Sequence, residues 1–366
     1  MEQWFDMDFS SIDTPTLLVD RDKVQYNIDL ALKYAGGSEY LRPHVKTHKI
    51  LEVAKLQMAA GISKFKCATI SEAEMLGMAG AKNVLIAYLI QGPKLDRVLL
   101  LIRKFPETQF HFLLDNEKSA KEIAEKCQQG DLTVEVYIDV NNGQNRTGIK
   151  IDFILNLVAS IADFPNVRIV GLHCYDGHIR MASLEARNKL CLSAFEKVIQ
   201  LKEDLTALLK RDINLIAGGS PSFSVHAKHH KVECSPGTFV FWDQRYANDY
   251  QEQEFEKAAI VATRVISKID AYTYCLDLGH KSVASEFPFP RVAFIDAPEL
   301  EQVGHSEEHL ILKSKEPNVL EPGQLLLAYP YHICPTVALY DHVHVVSNGK
   351  IIDQWEVIAR NRKITI

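Results

Sequence analysis

No apolar run in this 366-residue chain approaches the roughly 18 residues that a membrane-spanning helix requires, so a membrane protein is not expected. The opening residues Met1-Glu2-Gln3-Trp4-Phe5-Asp6 are acidic and lack a basic segment followed by an apolar one, so no secretory leader is read there. No C-x-x-C pair occurs. The seven cysteines are odd in number and scattered, which reads as reduced thiols in a cytoplasmic protein, most of them small core residues. Blocks of like charge, low-complexity linkers and internal repeats are also missing. The net charge of −6 argues against nucleic acid as the main partner. What remains is 47% hydrophobic and 24% charged, the composition of an ordinary globular protein. A single core stops growing near about 250 to 300 residues, so two domains are expected.

From residue 40 to about 240, short β-rich runs alternate with helical patterns, the signature of parallel βαβ units. The runs are 40–44, 64–69, 84–88, 109–114, 133–139, 167–174, 214–217 and 231–234, and eight such strands close a (β/α)8 barrel of the TIM type. Between them, Leu184, Cys191, Phe195, Val198, Leu201, Leu205 and Leu208 recur at helical spacing, as do Phe153, Leu157 and Ile161. Asp20 is placed to cap an earlier helix with Val24, Ile28 and Leu32 on one face. After Trp242 the pattern turns to strands without long helices: 258–269, 273–277, 292–295, 310–312, 324–328, 342–346 and 350–357, with Asn348-Gly349 as a turn between the last two. This predicts a mostly antiparallel β domain, joined by the early strand 16–19. The division expected is residues 21–250 for the barrel, and 1–20 with 251–366 for a discontinuous β domain.

Active sites of such barrels lie at the C-terminal ends of the strands, with phosphate held after strands seven and eight. The conspicuous polar residues fall at those positions. Lys46 follows the first run, in Arg42-Pro43-His44-Val45-Lys46-Thr47-His48-Lys49. A lysine among polar residues is ordinarily a solvated surface charge, but Arg42 and two histidines crowd this one, and such crowding favours a neutral, nucleophilic amine. Arg146 lies in the loop after the fifth run; Tyr175 and His178 follow the sixth; Gly218, Gly219 and Ser220 follow the seventh; Gly237 and Thr238 follow the eighth. A Gly-Gly pair alone is usually a turn. Here it lets backbone N–H groups approach a phosphate closely, with Ser220 adding a hydroxyl and Gly237-Thr238 closing the other side. An aldehyde-binding lysine opposite a phosphate cup specifies pyridoxal 5'-phosphate. Arg146 is suited to a ring substituent or a substrate carboxylate, and Tyr175 to packing on the ring or binding phosphate.

With these motifs the sequence resembles the fold-type III pyridoxal phosphate enzymes, within them the D-threonine aldolase and D-serine dehydratase group. The resemblance runs from Asp13-Thr14-Pro15-Thr16 through Arg146-Thr147-Gly148 and Pro236-Gly237-Thr238 to His332-Ile333-Cys334. It implies that Lys46 is the Schiff-base lysine, Arg146 the cofactor arginine, and Gly218, Gly219 and Ser220 part of the phosphate cup. It also implies a homodimer and a divalent metal at His332 and Cys334. Residues i and i+2 of a strand face the same way, so the imidazole and thiolate can share one ion, zinc first, with manganese or magnesium as alternatives. In isolation a His-x-Cys pair is more often a core histidine beside a buried thiol; the resemblance supplies the metal reading.

The function expected is a lyase of D-3-hydroxy amino acids. The metal acts on the substrate hydroxyl and His178 is a candidate base, the alternative for His178 being a structural or helix-capping role. Cys334 resembles the dehydratases, whereas the aldolases carry aspartate there, which tilts the reading toward dehydration over retro-aldol cleavage. The following Pro335-Thr336-Val337-Ala338 resembles the aldolases. The rival readings are an amino-acid racemase on the same barrel and a non-catalytic pyridoxal phosphate-binding protein.

Overall fold

The computed structural model describes Trp4 and residues 7–366; residues 1–3, 5 and 6, on which the leader reading partly rests, lie outside the described residues. The chain forms two compact units. One comprises Met1–Leu30, Thr47–Val53 and Thr238–Arg360, the other Ala31–Lys46, Ala54–Gly237 and Asn361–Ile366.

The second of these is a (β/α)8 barrel. Strands Lys64–Cys67, Asn83–Leu89, Gln109–Leu114, Val134–Asn141, Val167–Cys174, Asn214–Ala217 and Glu233–Cys234 lie side by side in chain order, all parallel. Residues 41–44 complete the ring as its eighth stave: Leu41 bridges Cys234 on one side and His44 bridges Lys66 on the other. The expected strand 40–44 is therefore reduced to two single bridges. Pro43 has no N–H to give and enters the ladder only through its carbonyl, which accepts from Lys66 N at 2.8 Å. Leu85, Leu113, Tyr137 and Ile216 pack together as a buried core cluster.

Local signals set the helices between the strands. Thr69 caps helix Ile70–Ala79 by accepting from Glu72 N at 3.1 Å, Glu72 reaches back to Ala68 N at 2.7 Å, and left-handed Gly80 ends the helix. The long helix Leu184–Leu209 starts at Ser183 and buries Arg187, Cys191, Phe195, Val198, Leu201 and Leu205. Leu184 and Leu208 are exposed, because a 3.6-residue period drifts off a fixed face over seven turns. In helix Ile151–Ile161 the buried face is Ile154, Leu157, Val158 and Ile161, with Phe153 outside it.

The other unit is a nine-stranded, mostly antiparallel sheet. Its strands are Thr16–Asp20, Ala259–Lys268, Thr273–Leu276, Val292–Phe294, Glu301–His305, Leu310–Lys313, Leu325–Pro330, His342–Ser347 and Lys350–Glu356. The pairing of Thr16–Asp20 with His342–Ser347 is parallel, and the remaining pairings are antiparallel. Asn348 and Gly349, both at positive φ, form a two-residue hairpin turn between paired Ser347 and Lys350. Trp4, Phe9, Leu18, Ile260, Leu327 and Tyr329 belong to its core. Asp20 accepts from Asp22 N and Lys23 N and so caps helix Arg21–Ala35. Among the described residues no helix is long and apolar enough to cross a membrane, and all seven cysteines are free.

Candidate active site

Lys46 ends the eighth stave, with an exposed side chain and its backbone N–H given to His44 Nδ1 at 3.2 Å. The crowding expected around it has a different source from the one read in the sequence. Burial holds the His48 imidazole down at about 3, so it is neutral. Arg42 is buried against Glu233 at 2.7 Å. The further cation is Lys66, which sequence reasoning passed over. It is 3% exposed, and burial, then the charge of Lys46, pull its ammonium down to about 7.

The ring of Tyr175 gathers the barrel's cationic groups. Lys46 Nζ lies 6.0 Å from its centroid, Lys66 Nζ 5.4 Å and Arg146 Cζ 5.1 Å, all within cation–π range. The ring packs against backbone that has no room for side chains: a Cβ on Gly219 would stand 2.9 Å from Tyr175 Cε2, and one on Gly177 would overlap the same ring. Gly218 sits at φ +73°, where its N–H meets Cys174 O at 3.3 Å. Gly219 N donates to Ser222 Oγ, and Gly237 N to Ser220 Oγ, each at 3.3 Å. Lys46, Arg146, Tyr175, Gly218, Gly219, Ser220 and Gly237 thus belong to one unit. Thr238 belongs to the other, and its hydroxyl lies 3.5 Å from Cys334 Sγ. His178 is exposed and lies against the loop after the fifth barrel strand, where a Cβ on Gly143 would come 3.0 Å from its Nε2.

Two buried carboxylate–imidazole pairs lie in the same barrel. Asp139 Oδ1 accepts from His173 Nδ1 at 2.8 Å, and His173 Nε2 is buried without a partner. Asp176 binds His226 Nε2 and Ser222 Oγ, each at 2.7 Å, and Ser222 in turn holds Gly219. Asp176, Cys191 and His226 are close enough to hold a metal. Burial, however, pushes the Cys191 thiol up to about 12, and Asp176 already serves two partners. That trio reads as support for the glycine loop.

His332 and Cys334 do meet, although not on a strand. Strand Leu325–Pro330 ends before them, and His332 is the N-cap of a single helical turn, Ile333–Val337, in whose first turn Pro335 is tolerated. Burial opposes the charged forms of both groups, yet their mutual hydrogen bond prevails. With Glu286 also bonded to its Nδ1, His332 is held up at about 9. Cys334 is held below the usual thiol range by His332 and by the hydroxyls of Thr238 and Thr47, the latter at 3.2 Å. Asp243, pushed up to about 6 by burial, accepts from Ile333 N and fixes the start of the turn.

The sequence pattern of the alanine racemase N-terminal domain matches residues 19–244, and that of the putative serine dehydratase domain matches residues 258–346. The chain belongs to the alanine racemase N-terminal domain family. Its relatives include the D-threonine aldolase of Arthrobacter sp., 29% identical over 95% of this chain and 93% of that protein. The D-threo-3-hydroxyaspartate dehydratase of Delftia sp. (strain HT23) is 24% identical over 94% of this chain and 97% of that protein. The crystal structure of D-threonine aldolase from Filomicrobium marinum superposes with a TM-score of 0.88 at 27% identity, covering 95% of each chain.

Within this racemase-family barrel, the groups that sequence reasoning missed are Lys66, the Asp139–His173 pair and the Asp176–His226 pair. One signal was available for the first. Lys64 and Lys66 share a strand face by period two, and a barrel strand has an inner face to which such a pair can be committed. Nothing local marks the two carboxylates, whose partners are 34 and 50 residues away.

Proposed function

We propose that this protein is a pyridoxal 5'-phosphate- and divalent metal-dependent lyase of D-3-hydroxy amino acids. The observation that carries the reading is Cys334. A thiol held below its usual range beside a histidine is a ligand pair with positions to spare, and a racemase has no use for it. The relatives' names, D-threonine aldolase and D-threo-3-hydroxyaspartate dehydratase, describe chemistry at a D-amino acid's 3-hydroxyl and support the same substrate class.

The barrel residues fit the organic cofactor. Three cationic groups about one aromatic ring suit an anionic, aromatic aldehyde, and the glycine loop leaves no side chain in the way. The N–H groups of Gly218, Gly219 and Gly237 are engaged only at 3.3 Å, the long end of hydrogen bonding, so an anion's oxygens can compete for them. When bound, pyridoxal phosphate draws electron density from the bonds at the substrate's α-carbon. Lys46 is the amine for its aldehyde, and Arg146 the cation for a ring oxygen or a substrate carboxylate.

His332 and Cys334 are the ligands for the metal, with zinc the ion that imidazole and thiolate suit best. Such an ion supplies Lewis acidity at the substrate hydroxyl. Glu286 on His332 Nδ1 leaves the other ring nitrogen for coordination. His178, exposed beside the loop at Gly143, is the candidate base for the hydroxyl proton if the carbon–carbon bond is cleaved. With cysteine as the second ligand, loss of the hydroxyl is the favoured outcome. The exposed Lys46 and Arg146 need a wall against water, which a second copy of the chain would provide in a homodimer; sedimentation of a fully active monomer would remove this part.

The test is to assay D-threonine and D-serine side by side. Keto acid with ammonia identifies dehydration, and glycine with aldehyde identifies cleavage. Formation of the L-enantiomer with neither would replace the lyase with a racemase.

A further inference from the structure

Lys66 has no role in the reading above, yet it is the most confined ammonium group in the barrel. It sits in strand Lys64–Cys67 and is 3% exposed. Its backbone is laddered to the stave that presents Lys46: Lys66 N donates to Pro43 O at 2.8 Å, and Lys66 O accepts from Val45 N at 2.9 Å. The two amines approach one ring, at 5.4 Å and 6.0 Å from the centroid of Tyr175.

Burying an amine this deeply is costly unless its charge is compensated. The compensation comes from across the barrel. Asp139, on strand Val134–Asn141, and Asp176, just after strand Val167–Cys174, favour the charged form of Lys66, whereas Lys46 and Arg42 oppose it. Asp139 is itself held ionised by His173 and Thr147, against its burial. His173 faces Lys66 and Arg146 and is kept neutral, burial being the largest cause.

We infer that Lys66 is a positioning residue whose charge disfavours a proton on the nitrogen of Lys46, and that the Asp139–His173 pair is the counter-charge retaining Lys66 in that place. This rests on the assignment of Lys46 as the cofactor lysine. The device is a like-charge pair of which Lys66 is the buried member: a proton on one amine raises the cost of a proton on the other. The ammonium of Lys66, pulled down to about 7 by burial and then by the charge of Lys46, changes charge near neutral pH.

The experiment is a spectroscopic pH titration of the cofactor-loaded protein. Visible absorbance of the bound cofactor is followed in the wild type, Lys66→Met, Lys66→Arg and, should Lys66→Met fold poorly, Lys66→Gln. Arginine carries its charge at every accessible pH and methionine at none. The expected result is a titration midpoint in Lys66→Arg lower than in Lys66→Met by on the order of one pH unit, a tenfold change in protonation, with the wild type between them. Equal midpoints in the arginine and neutral variants, with the cofactor mapped to Lys46 in each, overturn the inference. A cofactor mapped to another lysine overturns the Lys46 assignment instead, so the two failures are told apart.

Discussion

Gly237 donates its N–H to Ser220 Oγ at 3.3 Å, so the loop that follows the last barrel strand is tied to the loop that follows the strand before it. Neither loop is set by its own residues alone. Ser220 takes its place from the turn at Gly218 and Gly219, and that turn is backed by Ser222, Asp176 and His226.

Ser220→Ala removes the tie and one hydroxyl of the proposed phosphate cup. A lost hydrogen bond is worth about 1 kcal/mol, so cofactor affinity is expected to fall roughly fivefold while the melting temperature changes little. Cofactor titration beside thermal melting measures both. An unchanged affinity would place the phosphate elsewhere.

Borohydride reduction of the cofactor-loaded protein is expected to leave a pyridoxyl group on Lys46 and on no other lysine. Peptide mapping reads the position. In Lys46→Ala the cofactor is retained only by its non-covalent contacts, and reduction should fix none of it to the chain. A stable adduct in that variant would sink the assignment.

Chelation is expected to abolish lyase turnover and leave the cofactor's absorbance and the melting temperature nearly intact, since two protein ligands leave an ion unsaturated, as a catalytic site requires. Cys334→Ala and His332→Ala should each bind less than a tenth of the wild-type metal by elemental analysis. Unfolding on chelation would make the ion structural. Turnover in verified metal-free protein would favour the racemase.

His111 gives a pH test of the barrel core. It is buried with neither ring nitrogen hydrogen-bonded, Nδ1 standing 3.5 Å from Glu135 Oε2, and burial, with Arg42 adding to it, holds the imidazole down at about 3. Above about pH 6.5 both folded and unfolded chains keep this ring neutral. As pH falls from there toward 3 the unfolded chain takes up a proton that the folded chain rejects, so stability is lost at about 1.4 kcal/mol per pH unit for this one group. His111→Phe should remove that component and flatten the acid limb of a denaturation series. An identical acid limb in the variant would mean that the folded ring is protonated too.

The barrel could be counted from the sequence because its strands are short runs rich in apolar and aromatic residues separated by periodic helices, and a closed parallel sheet buries nearly every one of them. Two strands depart from the reading for physical reasons. The run 40–44 is counted but carries Pro43 and survives only as two bridges, whereas Glu301–His305 is not read, because it contains Glu, Gln, Gly and His and is a strand only because Leu310–Lys313 pairs with it. In the candidate site, residues at strand ends were visible by position. The histidine and cysteine were visible as a pair, but their reason for meeting was misread, because a helical turn begins where a strand was expected. The partners inside the barrel could not be read, since they are joined only by closure of the ring.

That closure has a dynamic consequence. The stave that ends in Lys46 joins the wall through single bridges, with backbone hydrogen bonds from Arg42 N, His44 N, Val45 N and Lys66 N. If the barrel opens anywhere short of global unfolding, this seam is expected to part first, and Lys46, the proposed cofactor amine, leaves with it. The amide protons of Arg42, His44 and Val45 should then exchange with solvent ahead of those on the neighbouring strands. Bound cofactor, bridging the lysine to the glycine loops that follow the adjoining staves, would close the seam like a clasp and slow them.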